Sequence, residues 1–213
     1  MLFNSSAFLF AFLPATLALF FLCAPFSHRA AIAWLTLASL FFYAWWNPVW
    51  LPLLLASIAF NFLAGREISQ RANSRALLIF AIGVNLAALA YFKYGAFLVE
   101  SLAAVLGSSY RWPASELPLG ISFFTFTQIA FLVDVYQKRA SDFDPVRYSL
   151  FVTYFPHLIA GPVLHHKEMM PQFDQDRNYR PHLSNFAVGL TIFAIGLAKK
   201  VLIADNQIGR AHV

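Results

Sequence analysis

A single cysteine, Cys23, stands in 213 residues, and it lies inside an apolar run. A lone thiol builds neither a disulfide framework nor a cysteine-based metal cluster. Charge is scarce as well: 12% of residues are Asp, Glu, Lys or Arg, against about 25% in a soluble domain. So few charges do not keep a soluble surface solvated, and a chain of roughly 200 residues cannot bury the rest of its apolar surface. No Lys or Arg precedes Arg29. The basic start of a cleaved signal peptide is therefore missing, and the opening run reads as a retained first helix. Glycine-rich phosphate loops, tandem Cys/His spacings and low-complexity linkers are absent too. So is any internal repeat, which lowers the standing of an inverted-repeat transporter.

What is present is grease. Hydrophobic residues make up 60% of the chain and Phe alone occurs 24 times; the mean hydropathy is +0.63. Lipid is the simplest solvent for such a chain. The net charge of +5 would raise nucleic acid as a partner in a soluble protein. Here it fits Lys and Arg gathered in cytoplasmic loops, and no nucleic-acid partner is implied.

A bilayer core of about 30 Å needs about 20 apolar residues as helix. Seven windows approach that length: Ala7 to Phe26, Ala30 to Trp46, Val49 to Gly65, Ala76 to Tyr94, Leu117 to Tyr136, Tyr148 to Leu164 and Leu183 to Ala204. The stretch Gly95 to Gly107 is too short to span alone. It extends the previous helix, lies at the interface or re-enters. The expected fold is all-α, a polytopic transmembrane helical bundle. His28 and Arg29 follow the first helix, Trp45 to Trp50 carry no basic residue, and Arg66, Arg71 and Arg75 separate the third and fourth. This alternation places the N-terminus outside the cytoplasm. Trp45, Trp46 and Trp50 around Pro48 read as headgroup-level anchors.

A few polar residues interrupt the apolar windows. Ser122, Thr125 and Gln128 recur every third position, making one polar stripe that faces helix neighbours or a cavity. Asp134 ends the same segment, four residues before Lys138. It reads equally as a cavity-facing carboxylate or an interfacial one paired with that lysine. His157 follows Pro156, which removes a helical hydrogen bond and kinks the backbone. At such a break it serves a freed carbonyl or carries a proton, the structural role being favoured. His165 and His166 are adjacent and point apart on a helix, a poor chelate; with Lys167 and Glu168 beside them they read as interfacial. His182 lies in a polar loop and carries no special signal.

The strings LPLGISFFTFTQIAFLVDVYQ and YFPHLIAGPVLHHKEMMPQF, with the opening MLFNSSAFLFAFLPATLALFF, the segment LFFYAWWNPVWLPLLLASIAFNFLAG and the late AKKVLIADN, together resemble the membrane-bound O-acyltransferase family, most of all its alginate O-acetyltransferase branch. The resemblance implies a funnel-shaped helical bundle that moves an acyl group from a cytoplasmic donor to an acceptor hydroxyl. It implies acetyl-CoA or another acyl donor as substrate, no bound cofactor and no metal. It also implies a periplasmic acyltransferase partner, an exported polysaccharide as acceptor and residence in the bacterial inner membrane. Gln128, Asp134 and Pro162 fall on positions of the family pattern; with His157 they are expected to line the funnel or support its walls. The family's catalytic histidine belongs to a later apolar segment, so none of the histidines here takes that role and the chain alone is expected to be inactive. D-alanyl transfer to cell-wall polymers is a neighbouring reading. A proton-coupled transporter or a non-enzymatic subunit of an export complex is the rival.

Members of the resembled family are about twice as long. Residues 1–207 accordingly read as the N-terminal part of one membrane domain. Residues 208–213, IGRAHV, read as a non-native tail, since ATC GGA AGA GCA CAC GTC, a stretch of common sequencing adapter, encodes that string.

Overall fold

The structure is a computed structural model and describes residues 3–107, 117–140, 143–158 and 166–204. It is helical, with no strand among the described residues. A π-helical turn, Phe8–Phe12, leads into α1 (Leu13–Cys23); α2 is His28–Trp46, and a short 3₁₀ turn at Pro48–Trp50 opens α3 (Leu51–Gln70). Then follow α4 (Arg75–Val105), α5 (Ile121–Tyr136), α6 (Pro145–Thr153), α7 (Phe155–Leu158), α8 (His166–Met169) and α9 (Leu183–Ala198). Among the described residues, three helices are long and apolar enough to cross a membrane: Pro48–Gln70, Arg75–Val105 and Leu183–Leu202. Phe8–Cys23 and Ile121–Tyr136 are shorter apolar helices.

Two packing units build the bundle. In one, α5 lies against both α3 and α4; in the other, α2 lies between α1 and α6. The helices supply matching faces. On α3 the buried positions are Leu54, Ile58, Asn61, Ala64, Gly65 and Ile68; on α4 they include Leu78, Ala81, Asn85 and Leu89. Apart from Ala64 beside Gly65, both series step by three or four residues, one stripe of a 3.6-residue helix. On α5, Phe124, Thr125, Thr127, Gln128, Phe131 and Leu132 are all buried, so this helix is enclosed on most sides. Gly65 allows that closeness. A Cβ there would come within 2.6 Å of Phe131 Cε1, and Phe131 is itself fully buried.

The doubtful stretch after Tyr94 resolves as helix: α4 runs unbroken to Val105. Its 31 residues span roughly 46 Å at 1.5 Å per residue, more than the hydrocarbon core. The window Tyr148 to Leu164, read as one helix, is instead interrupted. Tyr154 leaves helical geometry (φ −49°, ψ 106°) between α6 and α7. Pro156 explains it, because a continuous helix would drive its ring into the carbonyl four residues back. The freed backbone is served from α2, with Phe155 N–H donating to Ser39 Oγ at 3.4 Å and Ser39 Oγ donating to the Leu35 carbonyl at 2.8 Å.

One polar face is tied together by side chains. Asp144 caps α6, accepting from the N–H groups of Val146 (2.8 Å) and Arg147 (3.1 Å), ahead of Pro145 in the first turn. Its other oxygen meets Arg29 at the start of α2, 3.3 Å away. Arg147 reaches Asp174 at 2.7 Å. His28 stacks on Tyr179 with ring centroids 3.8 Å apart, and Phe20 stacks on Tyr179 at 5.6 Å. The connection after α8 is thereby fixed to the ends of α1 and α6. The proposed tail, 208–213, lies outside the described residues.

Candidate functional site

A short chain of polar groups runs through the apolar core. Asn61 on α3 and Asn85 on α4 exchange amide hydrogen bonds, Nδ2 of Asn85 to Oδ1 of Asn61 at 2.7 Å and Nδ2 of Asn61 to Oδ1 of Asn85 at 3.1 Å. Each amide also donates to its own helix, Asn61 to the Ser57 carbonyl (2.9 Å) and Asn85 to the Ala81 carbonyl (2.8 Å). One turn before Asn61, Ser57 Oγ accepts from Gln128 Nε2 at 2.9 Å, and Gln128 Oε1 accepts from the Tyr148 hydroxyl at 3.3 Å. Five side chains thus join α3, α4, α5 and α6. An unsatisfied amide costs free energy in hydrocarbon, so these groups turn inward and find each other. Gln128 is wholly buried, which resolves the stripe on α5 in favour of the interior, with Thr125 buried on the same side.

The surroundings are aromatic. Tyr148 lies 4.5 Å from Phe131 and 5.6 Å from Phe62, ring to ring. His166 sits against Phe131 (5.4 Å) and Phe151 (5.1 Å) and is 4% exposed. The interfacial reading of His166 is corrected: the α8 turn folds back on α5 and buries the ring despite its charged neighbours in sequence. Asp134 is only 2% exposed, so its carboxylate belongs to the interior. Beyond it, Lys138 takes a left-handed conformation (φ 58°) and the Asp134 carbonyl accepts from the N–H groups of Arg139 and Ala140, a turn that ends α5. His157 is 7% exposed on α7, its ring 5.9 Å from that of Tyr154. No hydrogen bond joins it to the Gln128 chain among the described residues. Pro162 and His165 lie outside the described residues.

Of the residues singled out in the sequence, Gln128 belongs to this polar chain, while Asp134 and His157 are buried apart from it; Ser57, Asn61, Asn85 and Tyr148 were not singled out. The signal available was the asparagine interrupting each of two apolar windows. Which helices would bring the two asparagines together could not be read from either window.

Chemically, amides and hydroxyls can orient a polar group or a water at depth. They supply no base. No group of three or more His, Cys, Asp or Glu stands close enough to hold a metal among the described residues. Outside the bundle, the Asp174 carboxyl is held below its usual range, first by its hydrogen bond from Arg147, with partial burial opposing. Burial pushes the Tyr179 hydroxyl up.

Comparison with known proteins gives a consistent answer. The signature of the MBOAT, membrane-bound O-acyltransferase family matches residues 71–209. A peptidoglycan O-acetyltransferase of Helicobacter pylori is 41% identical, over 97% of this chain and 45% of the relative. Proteins named probable alginate O-acetylase AlgI are 40% identical in Pseudomonas aeruginosa (97% of this chain, 40% of the relative) and in Azotobacter vinelandii (97% and 42%). The chain therefore spans less than half the length of these relatives. No solved structure matches it.

Proposed function

This chain belongs to the membrane-bound O-acyltransferase family, and on that premise we propose that it forms part of an enzyme that esterifies hydroxyls of a cell-envelope or exported polysaccharide with acetyl groups. The observation carrying this reading is the match along 97% of the chain to relatives named as polysaccharide O-acetylating proteins, on two different polymers. Peptidoglycan thus stands beside alginate as acceptor.

The reaction joins an acceptor oxygen to the acetyl carbonyl carbon and releases the donor's thiol with the proton. It calls for a base near neutral pKa and donors aimed at the oxyanion. The chain's contribution is the wall: helices α3 to α6, held in register by the Asn61–Asn85 and Ser57–Gln128–Tyr148 hydrogen bonds. The catalytic histidine is assigned to the later part of the enzyme. The donor is acetyl-CoA or a related thioester on the cytoplasmic side, and the bundle sits in the inner membrane with its N-terminus periplasmic. A periplasmic acyltransferase partner completes transfer to the polymer.

The test is complementation. The gene, carried through its natural continuation, is expressed in a strain lacking its own polysaccharide O-acetylase, and alkali-labile acetate on the isolated polymer is measured. Restored ester acetate supports the reading. Polymer that stays unacetylated, with the protein present in the membrane, contradicts it. The 213-residue chain expressed alone is expected to restore none.

A further inference from the structure

Away from the polar chain, a cavity of about 720 Å³ follows α1 from Phe8 to Phe21. Its floor is Leu35 of α2 and the α6–α7 break at Tyr154 to Pro156, and Phe193 of α9 closes its side. By helical rise, the thirteen steps from Phe8 to Phe21 cover roughly 20 Å along the axis of the π-helical turn and α1. One leaflet of hydrocarbon is on the order of 15 Å deep, half the core thickness. The slot therefore has the depth of a single lipid tail.

Its polarity is one-ended. Along α1 the wall is Phe and Leu apart from the buried Thr16, whereas Glu168, Gln172 and Asn178 come from α8 and the connection after it, the segment that meets the end of α1 through the Phe20–Tyr179 stack. That end is a fixed piece of structure. The Gln172 amide donates to the Glu168 carbonyl at 3.1 Å, and the Asn178 amide donates to the Gln172 carbonyl at 2.6 Å. The Phe20–Tyr179–His28 stack and the Arg147–Asp174 pair hold the same segment down. Glu168 makes no ion pair among the described residues; it lines the slot and is exposed. An apolar slot with one exposed carboxylate among the polar residues at its end is complementary to an amphiphile whose head is cationic at its tip.

We propose that this slot holds one bilayer phospholipid, its tail along α1 and a primary ammonium headgroup at Glu168. Phosphatidylethanolamine has that chemistry; phosphatidylglycerol has the same phosphate and tails but no ammonium. The lipid is a resident wedge between α1 and the α6–α7 break, separate from the acyl donor.

The experiment is native mass spectrometry of the full-length protein, delipidated in detergent and then given phosphatidylethanolamine or phosphatidylglycerol with identical tails. One phosphatidylethanolamine per chain should be retained, preferred over phosphatidylglycerol by roughly threefold, the scale of one exposed ion pair. Glu168→Gln should abolish the preference while leaving tail binding. Leu17→Trp, which fills the slot from a partly exposed position, should expel both lipids. Leu190→Trp, on α9 outside the slot, should not. Unfolding temperature and elution volume check that each variant is folded. Retention of both lipids by folded Leu17→Trp overturns the slot. Equal retention of the two lipids by the unaltered protein overturns the headgroup assignment. A delipidated protein that binds no lipid, because another segment or a second copy occupies the slot, overturns the proposal entirely.

Discussion

Single residues set how closely the helices of this bundle approach. Gly65 faces Phe131, whose ring is locked against Tyr148 and His166, so an added methyl has no room that a side-chain swing could supply. Gly65→Ala is expected to destabilise by about 1–3 kcal/mol, the usual cost of overpacking, read as a lower unfolding temperature in detergent. Gly120 is a second such position. It precedes α5 at φ +70°, and a Cβ would lie 2.9 Å from the Leu158 carbonyl oxygen. Here backbone strain and a backbone clash add, and Gly120→Ala should cost at least as much. The asparagine pair behaves differently. Asn85→Leu alone strands Asn61 in the core, whereas Asn61→Leu with Asn85→Leu removes both partners. The double variant should lose less stability than the sum of the singles, with a coupling of about 0.6 kcal/mol and at most about 1.7. Strict additivity in that cycle would show that the two amides do not support each other.

At the scale of elements, the break between α6 and α7 and the pinned connection after α8 are the informative features. The break was legible in Pro156; its exact place, at Tyr154, and the use of Ser39 to serve Phe155 N–H were not, since Ser39 lies more than a hundred residues earlier. The windows for α2, α3, α5 and α9 were legible because long apolar runs leave few alternatives. Asp134 and His166 were not settled by sequence, because charged neighbours in the chain resemble an interface while the fold carries both groups inside. The connection after α8 also carries a pH dependence. Asp174 has its carboxyl pKa lowered by Arg147. Its contribution is fully present above the ordinary carboxylate range and is lost as pH falls through the lowered value. Hydrogen exchange across residues 170–180, corrected for the intrinsic rate at each pH, should therefore quicken in that acidic window. Asp174→Asn should produce the quickening at neutral pH, by no more than the ~1 kcal/mol of an exposed ion pair. Exchange unchanged by both would remove the pair from the account.

For the whole molecule, composition alone placed the chain in lipid, and the helices agree by length and composition: α9 with the turn after it is apolar and long enough to cross a membrane. The polar groups do the reverse. Ser57, Asn61, Asn85, Gln128 and Tyr148 sit between helices, and the function proposed above gives such an interior a use in acyl transfer. The rival, passage of a solute without covalent chemistry, draws on the same buried groups, so a chemical readout separates them. The direct measurement uses the full-length protein in proteoliposomes with acetyl-labelled CoA outside and acceptor glycan, with the proposed periplasmic partner, inside. The account predicts alkali-labile label on the glycan, reduced in folded Gln128→Leu. Label that never leaves the thioester, or that enters the vesicles only as unchanged solute, would contradict it.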